Sequence, residues 1–355
     1  MTHRSTKWTL GALAAFLAGS GLALAQADSF DPYAAPSSRQ AANFTSSSLF
    51  AEGDAAAGAS DAPAIDVGCC DSGSCPSWRV AADVMFLDRN PARVRLAQTQ
   101  VGSTEVLNAS AMNFNWASGP RLSLMRHTEC YDLELTHFDV TGWSAGADVT
   151  APPAFEFSDA VNTLLSTGGA TTVSFLNTSR LFSTEFNVRK AWTPNITALA
   201  GFRWVEFYDH LQVYTPGFTY FNFTTSNRLY GAQIGLDASL IKHNCFELRS
   251  VLKAGVYGNA AQNFNDQPAN NVNIPPLAHT ANQVSFLGDL GLNGTYRLSD
   301  CWAVRGGYQL LWIDGLALAP NQVPVAHILN PANSTVATTN ALFAHGATFG
   351  LEATW

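Results

Sequence analysis

Charge is scarce in this chain, and lysine scarcer still. Charged residues make up 13% of the 355, with four lysines against fifteen arginines and a net charge of −8. That balance offers no basic surface for nucleic acid. Past the N-terminal segment no apolar run approaches the roughly 20 residues that a spanning helix needs. The sequence also lacks a nucleophile elbow, a P-loop, H-E-x-x-H and any C-x₂-C pair. Without them it points to no enzyme, no cofactor and no metal site. His127 near Cys130 and His243 near Cys245 form the nearest approach to a metal-ligand pattern, and no second cysteine at ligand spacing supports it.

What is present begins with "MTHRSTKWTLGALAAFLAGSGLALAQA", which has a basic start, an apolar stretch over about Leu10–Ala23 and the A-x-A site Ala23-Leu24-Ala25. Residues 1–25 therefore read as a secretory signal peptide. Residue 26 is Gln rather than the Cys of a lipoprotein. Residues 26–77 are rich in Ala, Ser, Gly and Asp without periodicity, and read as a disordered periplasmic arm.

From Trp78 onward, apolar residues alternate with polar or small ones in ten stretches. They are 78–87, 119–127, 130–142, 181–192, 196–208, 227–240, 245–258, 284–296, 302–314 and 342–355. A period of two is that of a strand between two environments. The connections alternate long and short without a miss, as in an up-and-down outer-membrane barrel with short periplasmic turns and long outer loops. The expectation is a transmembrane antiparallel β-barrel over residues 78–355, of ten strands or twelve if loops hide two more. "TTVSFLNT" at 171–178 and "MNFNW" at 112–116 are the places for those two.

Parity then separates the faces. One face carries Arg79, Asp83, Arg121, Asp132, Glu134, Glu185, Arg189, Arg203, Asp237, Glu247, Arg249, Lys253, Asp289, Arg305 and Glu352. The other carries only Arg126, Asp139, Lys190 and Glu206, all close to strand ends. A soluble sandwich could show the same split. The aromatics decide otherwise: on the apolar parity they gather in two belts. One holds Trp78, Tyr131, Trp192, Phe246, Tyr296, Trp302 and Trp355; the other holds Phe86, Phe182, Trp204, Tyr230, Trp312 and Phe343. Belts flanking an aliphatic band mark a membrane interface. The charged face is then the lumen, a near-balanced network that must pair internally. Barrels of about eight strands are filled by side chains and open channels need about sixteen, so ten leave at most a narrow path.

The cysteines number six, Cys69, Cys70, Cys75, Cys130, Cys245 and Cys301, and all fall before the first strand or beside short turns. Disulfides clamping turns and arm are the simplest use of them in an oxidising compartment; which pairs form stays open.

Several phrases carry a resemblance: "WRVAADVMFLDRN", "LELTHFDVTGW", "ITALAGFRWVEFYDHL", "NRLYGAQIGL", "AVRGGYQLLWIDGLALAPNQV" and "FGLEATW". Scattered across residues 78–355, they resemble a family of β-barrel porins from planctomycete bacteria. The resemblance implies a barrel in the outer membrane, and it brings no catalytic or binding residues with it. The closing run, with Phe349, Leu351 and Trp355 on one parity, resembles the C-terminal signal by which such barrels are recognised for assembly.

The expected role is non-enzymatic: a barrel with a largely closed polar lumen serving structure or surface interaction. A narrow pore for small solutes is the alternative. A second alternative is a hydrolase at the outer rim, where Asp209-His210 would need a further carboxylate such as Asp88 or Asp139. Neighbours on a strand face opposite ways, which counts against that pair. Expected partners are outer-membrane lipid, the barrel-assembly machinery and, through the outer loops, other envelope components.

Overall fold

In the computed structural model, the described residues are 77–99, 104–151, 154–157, 164–166, 171–215, 218–266, 276–326 and 333–355. The signal peptide, the arm up to residue 76, and Cys69, Cys70 and Cys75 lie outside them.

Fourteen strands are described: β1 Trp78–Arg89, β2 Arg95–Thr99, β3 Glu105–Asn108, β4 Ala117–His127, β5 Asp132–Ala151, β6 Ala154–Phe157, β7 Leu164–Ser166, β8 Thr171–Thr193, β9 Ile196–Thr215, β10 Phe218–His243, β11 Phe246–Asp266, β12 Leu277–Arg297, β13 Trp302–Leu316 and β14 Asn340–Thr354. Ten of them close into a barrel in the order β1-β14-β13-β12-β11-β10-β9-β8-β5-β4, with β4 returning to β1. Every contact between neighbours is antiparallel, and each of the ten alternating stretches falls on one of these strands. Closure leaves no free edge, as hydrocarbon demands of a spanning sheet. The remaining four form a small sheet, β3-β2-β6-β7, drawn from the segments that follow β1 and β5.

The strands are much longer than their amphipathic cores. A membrane crossing takes about 9–11 residues, whereas β8 has 23 and β10 has 26. The excess lies at the loop end and corrects the expectation of long loops. Pairing of β9 with β10 continues to Thr215–Phe218, so 209–226 is a hairpin rather than a loop. Most of 143–151, 171–180, 259–266 and 277–283 is likewise strand. "TTVSFLNT" is thus the upper part of β8, not an added strand, and "MNFNW" is not strand. Parity failed to report these extensions because above the membrane both faces of a wall can be polar or apolar.

The outer surface follows parity. Val84, Phe202, Ile234, Leu252, Val284 and Phe349 are among the exposed apolar residues, with Ile234 at 69% and Val284 at 71%. Exposed aromatics bound this band: Trp192, Tyr296, Trp302 and Trp355 at the turn end; Phe86, Tyr230, Trp312 and Phe343 at the loop end. Trp204 stacks on Tyr230 at 6.0 Å and meets Phe182 edge-on at 5.0 Å. Directly beyond this girdle stand the outward charges. Arg180 donates twice to Asp139, at 2.9 and 3.2 Å, and Glu206 accepts from the Tyr208 hydroxyl at 2.6 Å. At the turn end, Arg126 lies 5.1 Å from the Trp78 ring. The four charges on the apolar parity therefore sit beside the belts, where head-groups and water are in reach.

Candidate functional site

Inward-facing side chains divide the interior into three tiers. The first, at the turn end, is a cavity of about 340 Å³. Its wall includes Arg79, Arg121, Arg189, Asp237, Arg249, Arg305 and Glu352. Glu352 is shared between Arg79 at 3.5 Å and Arg305 at 3.4 Å, and Arg249 binds Asp237 at 2.9 Å and Glu247 at 3.2 Å. Arg121 has no carboxylate partner among the described residues and donates to the Gln309 amide oxygen at 3.2 Å. Asp132 lies at the turn-end rim, where it pairs with His127 at 3.0 Å.

Above the cavity lies a continuous ionic layer. Arg189 bridges Glu134 at 3.1 Å and Asp237, Lys253 meets Glu185 at 2.5 Å, and Arg203 meets Asp289 at 2.9 Å with Glu185 at 4.0 Å. Asp83 faces Arg305 at 3.8 Å. Neutral groups fill the remaining valences. Gln233 donates to Glu185 at 2.6 Å, and Asn187 donates to Glu134 at 3.2 Å. Gln309 donates to Asp289 at 2.9 Å. These side chains are almost entirely shielded, as the need for pairing in a poorly solvated interior requires. Of the fifteen charges expected on the polar parity, thirteen take part in Arg–carboxylate or Lys–carboxylate pairs. The other two are Arg121 and Asp132, which bond to Gln309 and His127.

The third tier is where the expectation of a polar lumen needs correction. Toward the loop end the interior is an apolar core: Met85, Leu87, Trp143, Phe175, Phe207, Phe223, Tyr257, Leu287 and Ile313 are all buried. The segment after β13 folds back onto it. Leu316, Ala317, Leu318 and Val323 are buried there, around a single-turn helix Ala319–Gln322 and a 3₁₀ turn Val323–Val325. Side chains of the wall fasten this plug by its backbone. Asn227 donates to the Ala317 carbonyl and accepts from the Ala317 N–H, both at 2.8 Å. Asn259 and Ser285 donate to the Gly315 carbonyl at 2.9 and 2.8 Å. Asp209 accepts from the Ala319 N–H at 2.9 Å. Parity could not separate this tier from the outer face, because apolar residues here occupy both sides of the wall.

Asp209 has a further task. Its carboxylate accepts from Ser179 at 2.8 Å and pairs with Arg89 at 3.3 Å, both side chains wholly buried. The Arg89 guanidinium lies 4.1 Å from the Phe114 ring and 5.3 Å from that of Phe207. Arg89 falls one turn of alternation beyond the first amphipathic stretch, so sequence reasoning passed it over. His210 lies on the opposite side of the strand. Asp209 is thus held by a cation, a hydroxyl and a backbone amide.

Cys130 and Cys301 carry free, exposed thiols at the turn end. Cys245 is disulfide-bonded, with its partner outside the described residues. Among the described residues no cluster of three metal-ligating side chains occurs.

The sequence profile of the family described as "Putative beta barrel porin-7 (BBP7)" matches residues 153–355, more than half of the chain. The chain belongs to this family. No curated protein matches it. Among solved structures, the porin-7 chain is similar to the outer membrane protease OmpT of Escherichia coli, at 9% identity and a TM-score of 0.42, covering 78% of this chain and 96% of that one. It is also similar to the toluene transporter TbuX of Ralstonia pickettii, at 8% identity and 0.32, covering 79% and 90%. The translocator domain of the autotransporter NalP from Neisseria meningitidis stands at 9% and 0.37, covering 80% and 90%. The three differ in role, and at such scores the likeness extends to none of their residues.

Proposed function

We propose that this porin-7 protein is an outer-membrane barrel with a closed lumen, serving the envelope through structure and surface contact. The observation that supports this reading is the apolar core with its plug, which fills the loop-end half of the interior where a diffusion pore needs water. The ionic layer beneath it adds a second obstruction, since an ion would have to separate desolvated pairs to pass. With the turn end in the periplasm, the extended hairpins and the small sheet project from the cell and offer a surface to other envelope components. Export follows from the signal peptide and insertion from lipid and the assembly machinery, with Phe349, Leu351 and Trp355 as the recognised end. Cys245 is bonded, and peptide mapping under non-reducing conditions would identify its partner.

The second reading, a narrow pore for small solutes, draws on the family description and on the cavity at the turn end. Planar-bilayer recordings distinguish the two. The closed barrel gives no ion steps at high protein load, while steady steps from the unaltered chain would sink it. A rim hydrolase is disfavoured by the bonding of Asp209. Peptide hydrolysis lost on changing His210 to Ala would revive it.

A further inference from the structure

Basic side chains outnumber acidic ones on the wall of the turn-end cavity. Eight of its lining side chains are Arg or Lys and five are Asp or Glu. Along the whole lumen the charges nearly balance. Two of the eight, Arg305 and Lys253, pair with acids off that wall, Asp83 at 3.8 Å and Glu185 at 2.5 Å.

Four of the five lining acids are divided among four arginines. Glu352 serves Arg79 and Arg305, Asp237 serves Arg189 and Arg249, Glu134 serves Arg189, and Glu247 serves Arg249. Among the described residues no carboxylate lies within ion-pair distance of Arg121; Asp83, its cross-strand neighbour on β1, pairs with Arg305 instead. The Arg121 Nη1 reaches a neutral amide at 3.2 Å, and its Nε is shielded without any partner. A guanidinium without a direct ion-pair partner in a walled, partly desolvated space favours an anion. Ser123 and Asn293, also on the wall, add neutral donors. The volume falls within the range of small-molecule sites, and the ionic layer makes the cavity blind.

We propose that this cavity is a binding site for a small multivalent oxyanion of the phosphate type, entered from the turn end and centred on Arg121. Planar guanidinium forks match phosphate oxygens in pairs, whereas chloride engages one donor at a time. The site does not depend on whether the barrel conducts. Ion steps would defeat the closed-barrel reading and leave this one standing.

The test uses the full chain refolded in zwitterionic detergent and titrated calorimetrically with inorganic pyrophosphate. The expected result is one saturable site per barrel with Kd below about 1 mM at low salt, weakening as NaCl rises. Arg121→Gln should weaken binding at least ~10-fold, with Arg121→Lys recovering part of it, because a charge-assisted pair is worth more than a neutral one. Lys190→Gln, on the outer face, should leave binding unchanged. A heat-dependent gel shift checks folding of each variant. If Arg121→Gln does not fold, Ser123→Glu decides: an internal carboxylate two residues along β4 should compete the anion away. No saturable uptake by the unaltered chain overturns the proposal, as does undiminished binding in the folded Arg121 or Ser123 variant.

Discussion

Gly142 is where β5 changes which parity faces inward. Up to Val140 the even residues are buried; a bulge between Thr141 and Trp143 adds one residue, and thereafter Trp143 and Ala145 turn in. The Gly142 φ of +96° is one that only glycine adopts cheaply. A Cβ there would meet nothing within 4 Å, so a substitution is opposed by backbone strain and not by collision. Gly142→Val should therefore cost about 1–3 kcal/mol and loosen Trp143, whose indole N–H donates to the Leu87 carbonyl at 2.9 Å. Urea unfolding in micelles with Trp fluorescence would register both. Glu185 supplies a contrasting case. Removing it as Glu185→Leu leaves Lys253 and Arg203 desolvated and partly unpaired, for an expected loss of about 3–5 kcal/mol. Adding Lys253→Met should restore a good part of that. A double variant no better than the single would mean that the layer does not act through this pair.

At the scale of elements, the plug is the part of the fold that the function turns on. It follows a bulge at Gly315, φ +80°, one residue before β13 ends, and two side-chain donors hold the Gly315 carbonyl. Asn227 and Asp209 grip the next turn by its backbone, so they fix its position without specifying its side chains. Changing both, Asn227→Ala with Asp209→Ala, removes three hydrogen bonds to the plug and leaves Arg89 without its carboxylate. Discrete current steps in planar bilayers are the expected outcome, against none for the unaltered chain. A double variant that folds and stays silent would mean that packing of Leu316, Leu318 and Val323 suffices to hold the lumen shut. This element was not legible in the sequence. "LALAPNQVP" has too few residues for a period, and its apolar side chains resemble those of the strand before it.

For the whole molecule, the balance is between a lipid-facing band and a wall that continues far beyond it. Trp355 is 48% exposed on the same parity as Leu351 and Phe349, level with Trp302 and Trp192. Trp355→Ser should lower the yield of heat-modifiable barrel in the outer-membrane fraction several-fold while leaving unfolding of the assembled protein within about 0.5 kcal/mol, as for a surface site. Equal yields would count against the assembly role proposed for it.

Strand number, closure, the two belts and the sign of each face were already determined by the sequence, because hydrocarbon imposes a period of two that side chains cannot disguise. Tertiary structure decided the rest: which carboxylate each arginine obtains, the length of the walls outside the membrane, and the apolar plug. Those depend on shear, bulges and the return of a distant segment. Beyond the bilayer, no second solvent remains to write its boundary into the sequence.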